Sequence, residues 1–459
     1  MSCVQDQNLT SSLKRKAPQA EVHHGKVIRE DETHTRQYTA DGNVTTEQIY
    51  LDYNATTPVE PAVVDVISRT LSEAWGNPSS PYPQGQLAKQ LINKARSQVA
   101  AMIGASPHEI IFMSGGTEAN NLVIHTAIEH FKNSLRTSSS EHPGKPHIIT
   151  SNLEHDSIKL PLEHLVNQGI ADVTFVPASV ETGRVEADSI VKAIQPTTCL
   201  VTIMHANNET GVIQPVEEIF RRLKGISHDP SQVVPRILLH TDAAQTIGKI
   251  RVDVDILNAD YLTIVGHKFY APRIGALYVR GGGVTSERGV PLHPMLFGGG
   301  QERNLRPGTE NTAMIAGLGK AAELVTENIE QYDSKMRKVR DYLEELLKST
   351  FPGQVCFNGK LKGSERIPNT CNVSFLGTNR QGRKILSKVK RLQASVGAAC
   401  HSDTGDRPSH ILLAIGVPNE VATNALRLSV GRHTTLEDID AVVKDIQDSL
   451  ETLKSEVDS

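Results

Sequence analysis

"EIIFMSGGTEANN", residues 109–121, runs a short and continuously apolar segment into a Gly-Gly turn and then into helix-forming residues. An apolar run of this length bounded by a turn reads as a strand covered on both faces, and the residues after the turn read as the opening of a helix. The same type of run recurs along the chain: "HIITS" (147–151), "VTFVPA" (173–178), "CLVTIMHA" (199–206), "RILLHTD" (236–242), "YLTIVG" (261–266) and "GALYVR" (275–280). Helical segments lie between most of them. This alternation specifies an α/β domain built on a mainly parallel sheet.

Upstream, order is expected from "QIYLDYNATTP" (48–58). Val63, Val66, Ile67, Leu71 and Trp75 follow helical spacing, and "GQLAKQLINKARSQVAAMIG" (85–104) predicts a second amphipathic helix. Its expected inner face carries Leu87, Leu91, Val99 and Ile103, with Gly104 as C-cap. Residues 1–46 are polar and aperiodic and read as disordered; "LKRKAPQ" (13–19) within them reads as solvated charge or a nuclear signal. "SSEHPGKP" (139–146) and "SHDPSQVVP" (227–235) read as surface insertions. Beyond residue 321 comes a helical run, "AAELVTENIEQYDSKMRKVRDYLEELLK", then a strand in "NTCNVSFLG" (369–377). A final helix is expected in "TTLEDIDAVVKDIQDSLETLK", opened by a Thr434/Glu437 capping box. These segments predict a smaller α+β domain.

The chain has 459 residues, too many for one simple core. Its hydrophobic share of 38% and net charge of −4 are those of an ordinary globular protein with no field that selects nucleic acid or an anionic membrane. A small molecule is therefore the expected partner. Five cysteines, Cys3, Cys199, Cys356, Cys371 and Cys400, form no CxxC pair. They support neither a disulfide framework nor a metal site, and a reducing compartment, the cytosol, is expected. No apolar run reaches the roughly 18–20 residues of a membrane span.

Three strand-end motifs carry chemistry. In "SGGTEANN" (114–121) a helix N-terminus with glycines, Gly116 among them, and the Thr117 hydroxyl suits phosphate, although an ordinary turn has the same look. In "HTDAAQ" (240–245) Asp242 and Gln245 lie beyond a strand's carboxyl end, where ligands bind in open α/β sheets; Asp242 also reads as an N-cap. In "VGHKFYAP" (265–272) Lys268 ends a buried strand, and a poorly solvated lysine is a good imine-forming nucleophile. A phosphate turn, an acid and a lysine on one sheet are what pyridoxal 5'-phosphate requires. "LEHDSI" (153–158) adds His155 to stack on the ring, and "HANNETG" (205–211) adds Asn208 for its hydroxyl.

With "YLDYNATTP", "GNPSS", "GGGQERNLRPGTEN", "AAC" and "LRLSVGR" in the same order, the chain from about residue 47 onward resembles the class V aminotransferase-fold cysteine desulfurase and selenocysteine lyase family. "SVGAACHSD" (395–403) and "GHKFYAPRIGALY" are most similar to the selenocysteine-cleaving branch.

The resemblance implies an aspartate aminotransferase-like, fold type I architecture. Residues 47–65 would join the small domain, 66–322 would form the large cofactor-binding domain, and 323–459 the small C-terminal domain. It implies that Lys268 binds the cofactor covalently, that His155 stacks on the ring, that Asp242 holds the ring nitrogen, and that Gln245 and Asn208 meet the ring hydroxyl. Gly116, Thr117 and His267 would hold phosphate, with Thr309 reaching it from the second copy of a homodimer. Arg427, with Asn77 nearby, would grip the substrate carboxylate, a task suited to a bidentate fork, and Cys400 would be the reactive thiol. Where many relatives have a phosphate-binding serine, this chain has Val265. The implied activity is conversion of L-selenocysteine to L-alanine, with selenium passing through Cys400 to a reductant or an acceptor such as a selenophosphate-forming enzyme. The alternative is a cysteine desulfurase feeding iron–sulfur or tRNA pathways.

Overall fold

Two prolines set the first helices. The computed structural model describes residues 48–136, 144–226, 236–283, 290–397 and 408–458. The expected 1–46 tail, the 227–235 insertion, most of 139–146 and Cys400 lie outside the described residues. After the two-residue strand β1 (Ile49–Tyr50) come α1 (Pro61–Glu73) and α2 (Pro83–Met102), each with proline in its first turn. There the fixed φ of proline suits a helix and its missing N–H costs nothing.

The sheet strands follow: β2 (Ile110–Met113), β3 (His147–Ser151), β4 (Asp172–Val176), β5 (Thr198–Thr202), β6 (Leu238–Asp242), β7 (Tyr261–Val265) and β8 (Gly275–Val279). Their order is β2-β8-β7-β6-β5-β3-β4. From β7 to β4 all neighbours are parallel. β8 runs antiparallel to both β7 and β2. Two reversals leave β2 pointing the same way as β7, so the carboxyl ends of six strands share one edge.

Alternate residues of each strand enter different cores. Ile110, Phe112, Leu262 and Ile264 join one; Ile111, Met113, Tyr261 and Leu277 join the other. Helices cover both faces: α3 (Gly116–Arg136), α4 (Asp156–Asn167), α5 (Ala187–Lys192) and α6 (Val216–Lys224) lie between the strands. This is why the strands read as continuously apolar rather than alternating.

The 39-residue α7 (Thr312–Thr350) packs its first half on α1 and α2. Here two expected faces are corrected. On α2 the buried stripe is Ala88, Ile92, Ala95 and Val99, while Leu87 is exposed and Leu91 half-buried. The cause is close helix approach: a Cβ on Gly319 of α7 would lie 2.5 Å from the Ala95 Cα. Only small residues fit such a contact, and the leucines are turned to its rim. On α1, Val63 is buried but Leu71 and Trp75 are exposed, Trp75 past the helix end.

A second sheet follows from β9 (Val355–Phe357), β10 (Thr370–Phe375), α8 (Gly382–Lys388), β11 (Leu392–Gln393), α9 (His410–Ala414), α10 (Asn419–Thr423) and β12 (Ala425–Ser429). Antiparallel β12-β10-β9 forms its centre, and β1 pairs with β11 beside it. The closing helix α11 (Leu436–Asp458) and the second half of α7 cover it around Leu343, Val373, Leu428 and Val442. The capping box of α11 is one residue later than expected: the Thr435 amide donates to Asp438 Oδ2 at 2.9 Å and the Asp438 amide to Thr435 Oγ1 at 3.1 Å. Thr434 instead accepts from the Gly431 amide. The boundary expected at 322/323 falls inside α7, and Ile411, Leu412 and Ile415 pack with the core of the large sheet, so the two sheets share elements.

Candidate active site

Five strand ends converge on one cavity of about 250 Å³. Gly116 and Thr117 follow β2, His155 follows β3, Asn208 follows β5, Asp242 ends β6, and Lys268 follows β7 through a single helical turn. Arg427, from the middle of β12, and Asn54, just after β1, close it from the side of the second sheet. Gln245, Val265 and His267 complete the lining among the residues singled out from sequence.

Lys268 Nζ donates to the backbone carbonyls of Asn54, at 2.8 Å, and Ala55, at 2.7 Å. Asp242, almost fully buried, accepts from the Ala244 amide through Oδ1 and from Asn120 Nδ2 through Oδ2, at 2.9 and 2.8 Å. Of the two readings of Asp242 in the sequence, a turn-capping acid and a ligand-facing one, the Ala244 bond is the turn-capping contact, and Asp242 also lines the cavity. His155 is the N-cap of α4; its Nδ1 accepts from the Ser157 amide, so a neutral ring carries its proton on Nε2. Burial first, then the Lys268 and Arg273 cations, push His267 down to about 4, so it is neutral at pH 7.

Arg427 is buried, with Nη2 2.7 Å from Asp52 Oδ1 and Nη1 donating to the Asn208 carbonyl at 3.2 Å. Its Nε–H is buried with no hydrogen-bond partner. A guanidinium whose Nη1 and Nη2 each hold one partner, with its Nε–H to spare, is set up to receive a carboxylate.

A Cβ at Gly116 would lie 2.6 Å from Val265 Cγ2, so the turn rests directly on the valine that stands in place of a serine. Asn77 departs from expectation. It is exposed in the loop before α2, its Oδ1 accepts from the Ser79 amide at 2.9 Å, and it does not line the cavity. That local turn directs its side chain into the loop itself. Thr309 is also exposed and outside the lining.

The class-V aminotransferase model matches residues 49–442. The chain belongs to the class-V aminotransferase family. The selenocysteine lyase of Bos taurus is 56% identical over 417 residues, covering 89% of this chain and 94% of that relative. A cysteine desulfurase IscS of Dictyoglomus turgidum is 38% identical over 409 residues, covering 89% of this chain and 96% of its own length. A solved NifS-like protein superposes with a TM-score of 0.76 at 32% identity, covering 88% of this chain and all of that one.

Three polar groups around the cavity of this class-V aminotransferase are not among the residues singled out from its sequence. Lys249 is buried and donates to Gln245 Oε1 at 2.6 Å and Asn54 Oδ1 at 3.1 Å. Burial, then the neighbouring Lys268 and Arg427 cations, push it well below the usual lysine range. Asn54 sits inside the quoted "YLDYNATTP" without a role assigned to it. Asn120 lies one helical turn after Gly116, a spacing that places both on one face of α3 and would have found it. Among the described residues no cluster of acids, histidines and cysteines suits a metal ion, and no helix is long and apolar enough to cross a membrane.

Proposed function

We propose that this chain is a pyridoxal 5'-phosphate-dependent selenocysteine lyase acting as a homodimer. The observation that carries the cofactor reading is the convergence of Lys268, Asp242, His155, Asn208, Gln245 and the α3 N-terminus on one cavity. The donor set fits the group. Gly116, lacking a Cβ, lets the turn pack directly on Val265 and opens a helix whose N-terminal amides suit an anion, a neutral His267 can donate to phosphate, and Lys268 offers an amine at the cavity wall.

When bound, the cofactor supplies a ring that accepts the electron pair released at the substrate Cα. The residues do the rest. Asp242 would hold the ring nitrogen with its carboxylate, and His155 would hold the ring face. Arg427 binds the substrate carboxylate, with the Asn208 carbonyl and Asp52 fixing its orientation. Lys268 Nζ would take the Cα proton of the substrate. Cys400 Sγ accepts selenium: a thiol plus L-selenocysteine gives L-alanine plus a cysteinyl S–SeH, which an external reductant or acceptor protein then discharges. The exposure of Thr309, and of the large apolar side chains Trp75 and Phe297 at 70% and 87%, supports burial against a second copy.

The test is kcat/KM for L-selenocysteine and L-cysteine on one preparation, with Lys268→Ala and Cys400→Ala beside it. Preference for selenocysteine, a Lys268→Ala protein without the covalent cofactor band, and a Cys400→Ala protein that keeps the band but loses or reroutes selenium release support the reading. Equal or greater turnover of cysteine would make it a desulfurase. A colourless wild-type protein would refute both.

A further inference from the structure

Asn120 is buried at the second turn of α3, and each of its polar atoms has a defined partner. Nδ2 donates to Asp242 Oδ2 and to Ser157 Oγ, both at 2.8 Å. Oδ1 accepts from Thr263 Oγ1 at 2.7 Å. The carboxylate can only accept, which fixes the amide orientation and with it every proton further along.

Thr263 spends its hydroxyl proton on Asn120, so its oxygen must accept from His240 Nε2 at 3.0 Å. His240 is then the Nε2–H tautomer, and its Nδ1 accepts from Thr202 Oγ1 at 2.8 Å. Burial holds His240 down at about 4, so it stays neutral. On the other branch, Ser157 Oγ accepts from Asn120 and turns its own proton to His155 Nδ1, 2.8 Å away. One relay thus crosses β5, β6 and β7 inside the protein and ends on the two side chains assigned to the two functional parts of the cofactor ring.

We infer that Asn120 is a positioning residue that sets the basicity of Asp242 and, through Ser157 Oγ, reinforces the lone-pair direction that the Ser157 amide gives His155, and that Thr263 and His240 hold it in register. This rests on the roles proposed for Asp242 and His155. Asn120 touches no substrate; it acts by donating a hydrogen bond to a charged acceptor, one of the stronger hydrogen-bond types. Without that donation the Asp242 carboxylate becomes a stronger base, and the proton it shares with the ring nitrogen is held less firmly on the ring.

The test uses the holoenzyme and its visible absorption against pH. In Asn120→Ala the midpoint of the cofactor's spectral titration is expected to move by about one pH unit, and kcat to fall by about tenfold or more. KM for the amino acid should stay within about twofold, because Arg427 is untouched. Thr263→Val keeps the volume and removes the donor to Asn120 Oδ1 together with the acceptor for His240 Nε2, leaving the Asn120 bond to Asp242 in place, so it should shift the titration in the same direction by less. It also serves if Asn120→Ala fails to fold. Asp242→Asn is the control for the underlying assignment. If Asp242→Asn leaves spectrum and cofactor retention unchanged, the role of Asp242 is wrong. If Asp242→Asn alters them while Asn120→Ala and Thr263→Val titrate like wild type, the relay is structural only and the inference is overturned.

Discussion

Lys268 Nζ lies 2.8 Å from the backbone carbonyl of Asn54, a residue 214 positions earlier in the chain. The Asn54 side chain is saturated as well. Its Nδ2 donates to the Asn208 carbonyl and to Thr370 Oγ1, and its Oδ1 accepts from Lys249 Nζ and Asn369 Nδ2. Asn369 and Thr370 belong to the second sheet region, whereas Lys249 and Asn208 belong to the first. Asn54 is the buried polar joint between the two.

Asn54→Ala is therefore expected to cost about 3–5 kcal/mol, because it strands buried donors, Lys249 among them, as well as losing four bonds. Equilibrium unfolding in urea measures it. Adding Lys249→Met, which removes the stranded amine, should recover part of the loss. A cost below about 1 kcal/mol for the single variant would show that the joint is not where the two sheets are held.

The strand ends were legible because the apolar runs are covered on both faces and stop abruptly at polar residues. Lys268, Asp242 and Gly116 each stand at such a stop. Arg427 could be reached only through resemblance, since it lies in the middle of the buried strand "ALRLS" and local pattern would make it an anomaly. The α2 face was misjudged because periodicity selects the largest apolar residues, while the α2–α7 contact selects the smallest. Motif order says nothing about where a loop turns its side chain, and Asn77 turns to the Ser79 amide. Lys249 gave no local signal: its burial follows from Asn54 and Gln245, which converge on it from distant segments.

Arg427→Lys tests the carboxylate reading. A lysine keeps the charge next to Asp52 but has no planar fork, so the two-point grip on a carboxylate is lost. KM for the amino acid is expected to rise by about 10–100-fold with a smaller change in kcat, as steady-state kinetics on the holoenzyme would reveal. A KM within about twofold of wild type would remove Arg427 from the substrate site.

Gly319→Ala probes the close approach of α2 and α7. Alanine is intrinsically the better helix former by about 1 kcal/mol. Its methyl group would nonetheless sit 2.6 Å from Ala95 Cβ, and backbone cannot yield as a flexible side chain would. Overpacking should win, giving a net loss of about 1–3 kcal/mol in thermal or urea unfolding. Ala95→Gly in the same chain should restore part of it by removing the opposing methyl. Stabilisation by Gly319→Ala alone would mean that the helices separate freely.

Glu154, immediately before His155, gives a pH signature. Burial raises its carboxyl to about 8, against an ordinary 4.5, although Ser151 Oγ and the Met204 amide both donate to Oε1. A raised folded-state value means that the native protein binds the proton more tightly than the unfolded chain does. Its contribution is fully present below about pH 4.5 and is lost as pH rises toward 8. Glu154→Gln, which has the same shape and no proton to lose, lacks this dependence. The stability of Glu154→Gln minus that of wild type should be flat below about pH 4.5. It should then grow by about 1 kcal/mol per pH unit up to about pH 8 and level off above it. Paired urea titrations at pH 4, 6 and 8 measure the difference directly. A difference that does not change with pH would mean that Glu154 is ionised in the folded protein and finds a counter-charge there.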